Sequence, residues 1–207
     1  MPGRQVAAVL TQCVVDAADE AFARPTKFVG PTYDEADAHR LAAERKWVVA
    51  PDGGSWRRVV ASPEPQRVVE VEVVRLLIEA AVVVVCGGGG GVPVVETAAG
   101  ALEGVEAVID KDLTAALLAE VLGADALLLL TDVSGVETDF GRPGSEVIRR
   151  AAPADLRALA LPAGSMGPKA DAACRFVERT GGIAAIGSLA EAEAVLAGAS
   201  GTRVLAS

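Results

Sequence analysis

An apolar run, Ala81-Val82-Val83-Val84-Val85-Cys86, ends abruptly in five consecutive glycines, Gly87 to Gly91. A short run this rich in β-branched residues, closed by glycine, predicts a buried strand over 81–86. A strand that stops in chain without side chains presents bare backbone N–H groups at the edge of its sheet. Such groups can approach an anion closely. The pattern points to an α/β protein with a phosphate or carboxylate site, and by itself leaves the ligand open.

The rest of the chain repeats the theme of short aliphatic strands between helices. Hydrophobic residues make up 51% of the 207 residues but aromatics only 3%, so the core is built of Val, Leu and Ala. Strands buried on both faces of a parallel sheet have this character. A strand is predicted over 6–15, a helix over 65–80 with Val69, Val73, Leu76, Leu77 and Ala80 on one stripe, and a short extended piece over 92–95. Residues 100–104 read as a turn, and 105–109 as a strand or its approach. A helix over 112–122 closes at Gly123, and a buried strand follows over 126–130. Helices over 153–160 and 168–179, a strand over 183–186, a helix over 189–197 and a strand over 202–205 complete the series. Such alternation predicts a largely parallel sheet with helices on both faces.

One stretch interrupts it. Residues 16–62 hold Pro25, Gly30, Pro31, Pro51, Gly53 and Gly54, both tryptophans, and the lone His39 and Tyr33. So long a break predicts a small excursion or lid with its own elements, a helix over 34–46 and a strand over 56–60. The chain then reads as a single domain over 1–207, with an excursion at 16–62 and the remainder at 63–207.

Net charge is −9, which argues against nucleic acid as a partner. An anionic ligand must be held by a few local lysines and backbone N–H groups. The region 68–86 carries Glu70, Glu72, Arg75 and Glu79, which argues against a membrane span. Residues 1–15 show no signal-peptide cleavage pattern. The three cysteines, Cys13, Cys86 and Cys174, are widely spaced without a CxxC, which suits reduced thiols in the cytosol and no zinc site.

Four segments can carry chemistry. Asp110-Lys111-Asp112 opens the helix over 112–122. An acid there can simply cap the helix beside a solvated lysine. Alternatively Lys111 meets a phosphate, with an Asp orienting the lysine or holding magnesium through water. Leu130-Thr131-Asp132-Val133-Ser134-Gly135-Val136 ends a strand in small and polar residues, where ligands of open parallel sheets sit; an Asx turn at Asp132 is the plainer reading. Pro162-Ala163-Gly164-Ser165-Met166-Gly167-Pro168-Lys169 opens another helix, with Ser165 able to cap it and Pro168 suited to its first turn. Lys169 opposes the helix dipole there, and is easier to explain if an anion is drawn to the same spot. Lys27, in Pro25-Thr26-Lys27-Phe28-Val29-Gly30-Pro31, is either an ordinary loop lysine or one held by its Pro/Gly frame. A P-loop is excluded because Val92-Pro93, not Lys, follows the glycines. A Rossmann site lacks its helix, and no nucleophile elbow accompanies the single histidine.

Taken in order, these segments resemble the carbamate kinases of the amino acid kinase family. Thr11-Gln12, Pro25-Thr26-Lys27, Trp56-Arg57-Arg58-Val59-Val60, Ser62-Pro63-Glu64-Pro65 and the glycine run carry the first half of the likeness. Gly104 to Asp112, Leu130 to Val133, the 162–169 segment, Gly187-Ser188-Leu189 and Gly201-Thr202 carry the second. The resemblance implies a three-layer αβα sandwich with a small protruding subdomain, incomplete at its N-terminus, and a cytoplasmic homodimer. It implies magnesium-dependent phosphoryl transfer between ATP and carbamate, usually run from carbamoyl phosphate and ADP toward ATP in arginine breakdown. Carried over by motif, Lys27 lies near the substrate, Lys111 and Lys169 face the phosphates, and Asp112 lies beside them. Gly87, Gly88, Gly89, Thr131, Asp132, Val133, Gly164, Ser165 and Met166 fall to the nucleotide, and no residue is assigned to a metal.

The likeness has departures. Family members carry a further stretch before the point matching Val6, with a Gly-Gly-Asn-Ala phosphate loop, so the chain is expected to match the C-terminal part of the enzyme. Phe28 stands where proline is usual, Ser134 for aspartate, and Glu137 for a tyrosine near the adenine. The alternative expectation is therefore an inactive fragment that retains nucleotide binding or dimerisation.

Overall fold

The computed structural model describes residues 3–140, 142, 144–162 and 164–206. Ala163, within the segment 162–169, lies outside the described residues, as do Met1, Pro2, Gly141, Pro143 and Ser207. Two compact units are present: the residues up to Glu70 with Ala80–Lys111, and Val71–Glu79 with the residues from Asp112 onward.

In the first unit the strands are β1 (Val6–Ala8), β2 (Gln12–Val15), β3 (Lys27–Tyr33), β4 (Val48–Asp52), β5 (Ser55–Val60), β6 (Pro65–Val68), β7 (Val83–Val85), β8 (Val92–Glu96) and β9 (Leu102–Gly104), with one helix, α1 (Glu35–Arg45). A four-stranded sheet runs β6-β2-β8-β9, and β2 and β8 pair parallel at its centre. A second, antiparallel sheet runs β3-β5-β4 and contains α1 in its β3–β4 connection. Asp34 caps α1 by accepting from the Asp37 N–H at 2.8 Å. Lys46, with φ 56°, ends that helix in the left-handed conformation. Cys13, Val14, Val15, Val59, Val60, Val68, Val94 and Ile109 are buried here, the aliphatic core the composition requires.

Five expectations change in this unit or at its edge. The strand over 6–15 is two strands: β1 pairs with β7, while β2 pairs with β6 and β8. Between them the Val9 N–H still bonds the Val85 carbonyl, but the Thr11 carbonyl already accepts from Val92. The change of partner falls at Thr11-Gln12, the one polar step in the apolar pattern. The helix over 65–80 begins as β6, because Pro65 to Val68 pair with β2, and only Val71–Glu79 is helical. The strand over 81–86 shrinks to β7, whose Val83 and Val85 are 36% and 58% exposed, so it is not buried. Residues 100–104, expected as a turn, contain β9, which pairs antiparallel with β8, while residues 105–109, expected as a strand or its approach, make one parallel bridge, Ala61 to Ala107.

In the second unit the helices are α2 (Val71–Glu79), α3 (Lys111–Leu122, its first residue belonging to the other unit), α4 (Pro153–Arg157), α5 (Met166–Thr180) and α6 (Ala192–Ala197). The strands β10 (Ala126–Thr131), β11 (Arg150–Ala151), β12 (Ile183–Ser188) and β13 (Thr202–Val204) form one sheet in the order β10-β12-β13-β11. β10 and β12 run parallel in register, from Ala126 beside Ile183 to Thr131 beside Ser188. Phe176, Ala172, Ala173 and Val177 of α5 pack with Leu127, Leu129, Ile186 and Val204 of the sheet into one core. Gly181, with φ 69°, closes α5 where the sequence places its end. The stripe expected on α2 is turned: Val74 is the buried residue, while Val73 and Leu76 are exposed. Among the described residues no helix is long and apolar enough to cross a membrane.

Candidate functional site

The glycine run is shaped by close approach before any question of ligand arises. Gly88–Gly90 forms a single tight turn entered through Gly87, and Gly87 and Gly89 both adopt left-handed backbone. A Cβ on Gly90 would collide with the Ile109 carbonyl. One on Gly91 would crowd the Thr11 carbonyl at 3.1 Å. The Gly87 N–H donates to Thr11 Oγ1 at 2.9 Å, and Thr11 Oγ1 donates on to the Val9 carbonyl at 3.2 Å. Thr11 is buried, and its role in holding the glycine turn does not follow from its place in the Thr11-Gln12 motif. A hydroxyl between two apolar strands is the signal that could have found it. Gly88 and Gly89 form the exposed tip. Their right-then-left-handed backbone is the arrangement that turns successive N–H groups into one concavity.

In the same unit Lys27, the first residue of β3, places its Nζ 2.8 Å from Asp110 Oδ2. The Asp110 side chain is 8% exposed and that of Lys27 35%. The segment before Asp110 is stitched to the base of the three-stranded sheet. Arg58 pairs with Glu106, and the Val108 N–H donates to the Ala61 carbonyl at 2.9 Å.

In the second unit Lys169 and Asp112 form a buried pair. Lys169 Nζ donates to both carboxylate oxygens of Asp112, at 3.1 and 2.9 Å, with the two side chains 9% and 8% exposed. Lys169 stands in the first turn of α5 and Asp112 in the first turn of α3. The anion that the sequence demanded at the head of α5 is thus supplied by the chain itself. Beyond the carboxyl end of β10, Thr131 Oγ1 donates to Asp132 Oδ1 at 3.0 Å. The following loop is pinned where the Val136 N–H donates to Thr202 Oγ1 at 2.8 Å, both groups buried. Thr202 is a second positioning hydroxyl that spacing did not reveal.

The other predicted residues differ in exposure. Lys111 is exposed at the start of α3, Asp132 is exposed and Val133 half-buried. Gly164 and Ser165 are exposed ahead of α5. Ser165 occupies the N-cap position without the expected side-chain hydrogen bond. Met166 packs against the core of the second unit. Among the described residues no disulfide joins the three cysteines, and burial pushes the thiols of Cys86 and Cys174 up from the ordinary thiol range. No group of three or more acidic, His or Cys side chains suited to a metal occurs among the described residues.

The amino acid kinase family model matches residues 5–186. The carbamate kinase of Haemophilus influenzae is 46% identical over 198 residues, covering 96% of this chain and 64% of that protein. That of Rhizobium meliloti is 47% identical over 204 residues, covering 98% and 63%. Carbamate kinase from Giardia lamblia bound to AMP-PNP superimposes with TM-score 0.87 at 38% identity, covering 99% of this chain and 66% of that one. The chain spans a little under two thirds of the length of the curated relatives it matches. Its α/β fold with parallel strand pairs, and a family match over most of its length, lead to one conclusion: the chain belongs to the amino acid kinase family.

Proposed function

We propose that this chain is the phosphoryl-transferring part of a carbamate kinase, moving phosphate reversibly between ATP and carbamate. The observation that carries the reading is the buried Lys169–Asp112 pair at the heads of two helices. In the ATP-forming direction, the bond from phosphorus to the carbamate oxygen breaks as the bond to the terminal oxygen of ADP forms. The transfer itself needs no proton, so no general base is called for. His39, exposed on α1, has no part in it. What the reaction requires is cations held in position.

In this reading Lys169 neutralises charge on the transferred phosphoryl and Asp112 holds it in place. Lys111 faces the phosphates, and Lys27 serves the acyl phosphate. Gly87, Gly88 and Gly89 supply backbone N–H groups. Thr131, Asp132, Val133, Gly164, Ser165 and Met166 belong to the nucleotide. Magnesium enters with the nucleotide as part of the substrate. Magnesium is commonly held by phosphates, waters and one or two carboxylates rather than by a dedicated protein cage. A cytoplasmic homodimer working at the ATP-yielding end of arginine breakdown completes the proposal. The test is ATP formation by the 207-residue chain from carbamoyl phosphate and Mg-ADP. Turnover that Lys169→Ala abolishes supports the reading, and turnover unchanged by that substitution overturns the assignment of Lys169.

One observation favours a second reading, a nucleotide-binding or dimerising module without catalysis. Val6, Leu10 and Val85 of the first unit are 67%, 80% and 58% exposed, an apolar surface around the β1–β7 pair. A melting-temperature rise with Mg-ADP and no ATP formation selects this reading.

A further inference from the structure

We propose that Asp110 is a positioning residue that fixes the Lys27 ammonium for an acyl-phosphate ligand; the inference rests on the carbamate kinase reading above. Lysine ends a flexible four-carbon stem, and holding its tip at one place costs rotamer freedom. Asp110 is a rigid anchor for that tip. Ile109, just before it, is 1% exposed and its carbonyl is the surface on which Gly90 packs. Two residues earlier, Val108 is hydrogen-bonded to Ala61. The Asp110 carboxylate is itself buried, and a buried carboxylate is strongly unfavourable unless paired. Lys27 meets that need with a contact of 2.8 Å.

The pair is built asymmetrically. Asp110 is 8% exposed, whereas Lys27 keeps 35% of its side chain in solvent. An ammonium has three donors, so one spent on Asp110 leaves donors that can reach an incoming anion. Lys27 opens β3 in register with Val60 of β5, so its backbone is fixed by the three-stranded sheet while its tip is fixed from outside that sheet. Gly90, Ile109 and Asp110 form a continuous path, which puts the anchored ammonium in the neighbourhood of the glycine turn within one unit. Asp110 acts through Lys27 and is not assigned contact with the reacting atoms.

The experiment is a double-mutant cycle on the 207-residue chain with Lys27→Ala, Asp110→Asn and both together. Carbamoyl phosphate affinity is measured by calorimetry, and KM and kcat in ATP formation. Asp110→Asn is expected to weaken carbamoyl phosphate binding about tenfold, with KM moving more than kcat. The double variant is expected to be no worse than Lys27→Ala alone. Asp110→Glu, which keeps the charge, is expected to recover part of the loss. Losses that add in the double variant, or an Asp110→Asn chain that binds normally, overturn the inference. Should Asp110→Asn alone fail to fold, the double variant, free of any unpaired buried charge, is compared with Lys27→Ala; equal affinity supports the inference and a further loss overturns it. A wild-type chain that neither binds carbamoyl phosphate nor forms ATP overturns the functional reading instead. An active chain with additive losses overturns only the role of Asp110.

Discussion

Lys169 Nζ sits 3.1 and 2.9 Å from the two carboxylate oxygens of Asp112, and both side chains are less than a tenth exposed. At the head of α5 a cation opposes the helix dipole, while at the head of α3 an acid is favoured by it. The contact offsets the first effect and exploits the second. It also keeps a desolvated ammonium in a fixed place, as transfer of a phosphoryl group requires.

Removing the cation tests function and stability separately. Lys169→Ala is expected to lower transition-state stabilisation by about 3 kcal/mol, by analogy with the loss of an oxyanion donor. It also takes the Lys169 partner from the buried Asp112 carboxylate, a destabilisation of up to about 3–5 kcal/mol. Lys169→Met combined with Asp112→Leu removes both charges. That variant is expected to regain most of the stability, read by urea unfolding, and none of the ATP formation.

Two neighbouring glycines are expected to behave differently. Gly90→Ala meets both a φ of 97° and the Ile109 carbonyl, and should destabilise the chain by more than about 2 kcal/mol. Gly89→Ala has a φ of 66° but open space around the new Cβ, and should cost about 1 kcal/mol. Urea midpoints of the two variants, measured in parallel, check the order. The reverse order would show that Gly90 does not pack on Ile109.

Thr202→Val preserves shape and removes the acceptor of the Val136 N–H. A buried N–H left without its partner is expected to cost about 1–3 kcal/mol. The loop after β10 should loosen as well, so the dissociation constant for Mg-ADP, read by calorimetry, is expected to rise. Equal affinity in the variant would separate this loop from the nucleotide.

The thiols of Cys86 and Cys174 are held above the ordinary range by desolvation; for Cys174 the nearby Arg157 opposes the effect. A raised pKa means less thiolate at neutral pH, so alkylation by iodoacetamide at pH 7.5 should be slow compared with a free thiol. Linkage has a definite sign here. The stability gained by keeping these thiols protonated is complete below the unfolded pKa and is lost as pH rises through the folded value. Alkylation rates followed by mass spectrometry across pH 7 to 10 should rise later than for a model thiol.

Much of the element order was legible in the residues themselves. Glycines at 123 and 181 end α3 and α5 because only a residue without a Cβ takes up the left-handed closing position easily. The helix expected over 34–46 is α1, with Asp34 as its cap. The failures share one cause. Residues 6–15 and 65–68 carry no local signal strong enough to show where one element stops and the next begins, and which neighbour each segment pairs with decided the outcome. In the candidate site, the oddity of Lys169 was visible from its position at a helix head. Its direct pairing with Asp112, 57 residues away, was not, although the family resemblance placed Asp112 nearby.

Sequence alone determined the α/β alternation, the aliphatic core and the places where lysines and glycines gather, because these follow from local periodicity and from the conformations each residue permits. Tertiary structure decided which charges neutralise each other. Asp110 and Asp112 flank Lys111 identically in the sequence, yet one binds Lys27 and the other Lys169, in different units. The difference arises because a buried carboxylate takes whichever cation the packing brings within reach, and packing is set by contacts far apart along the chain.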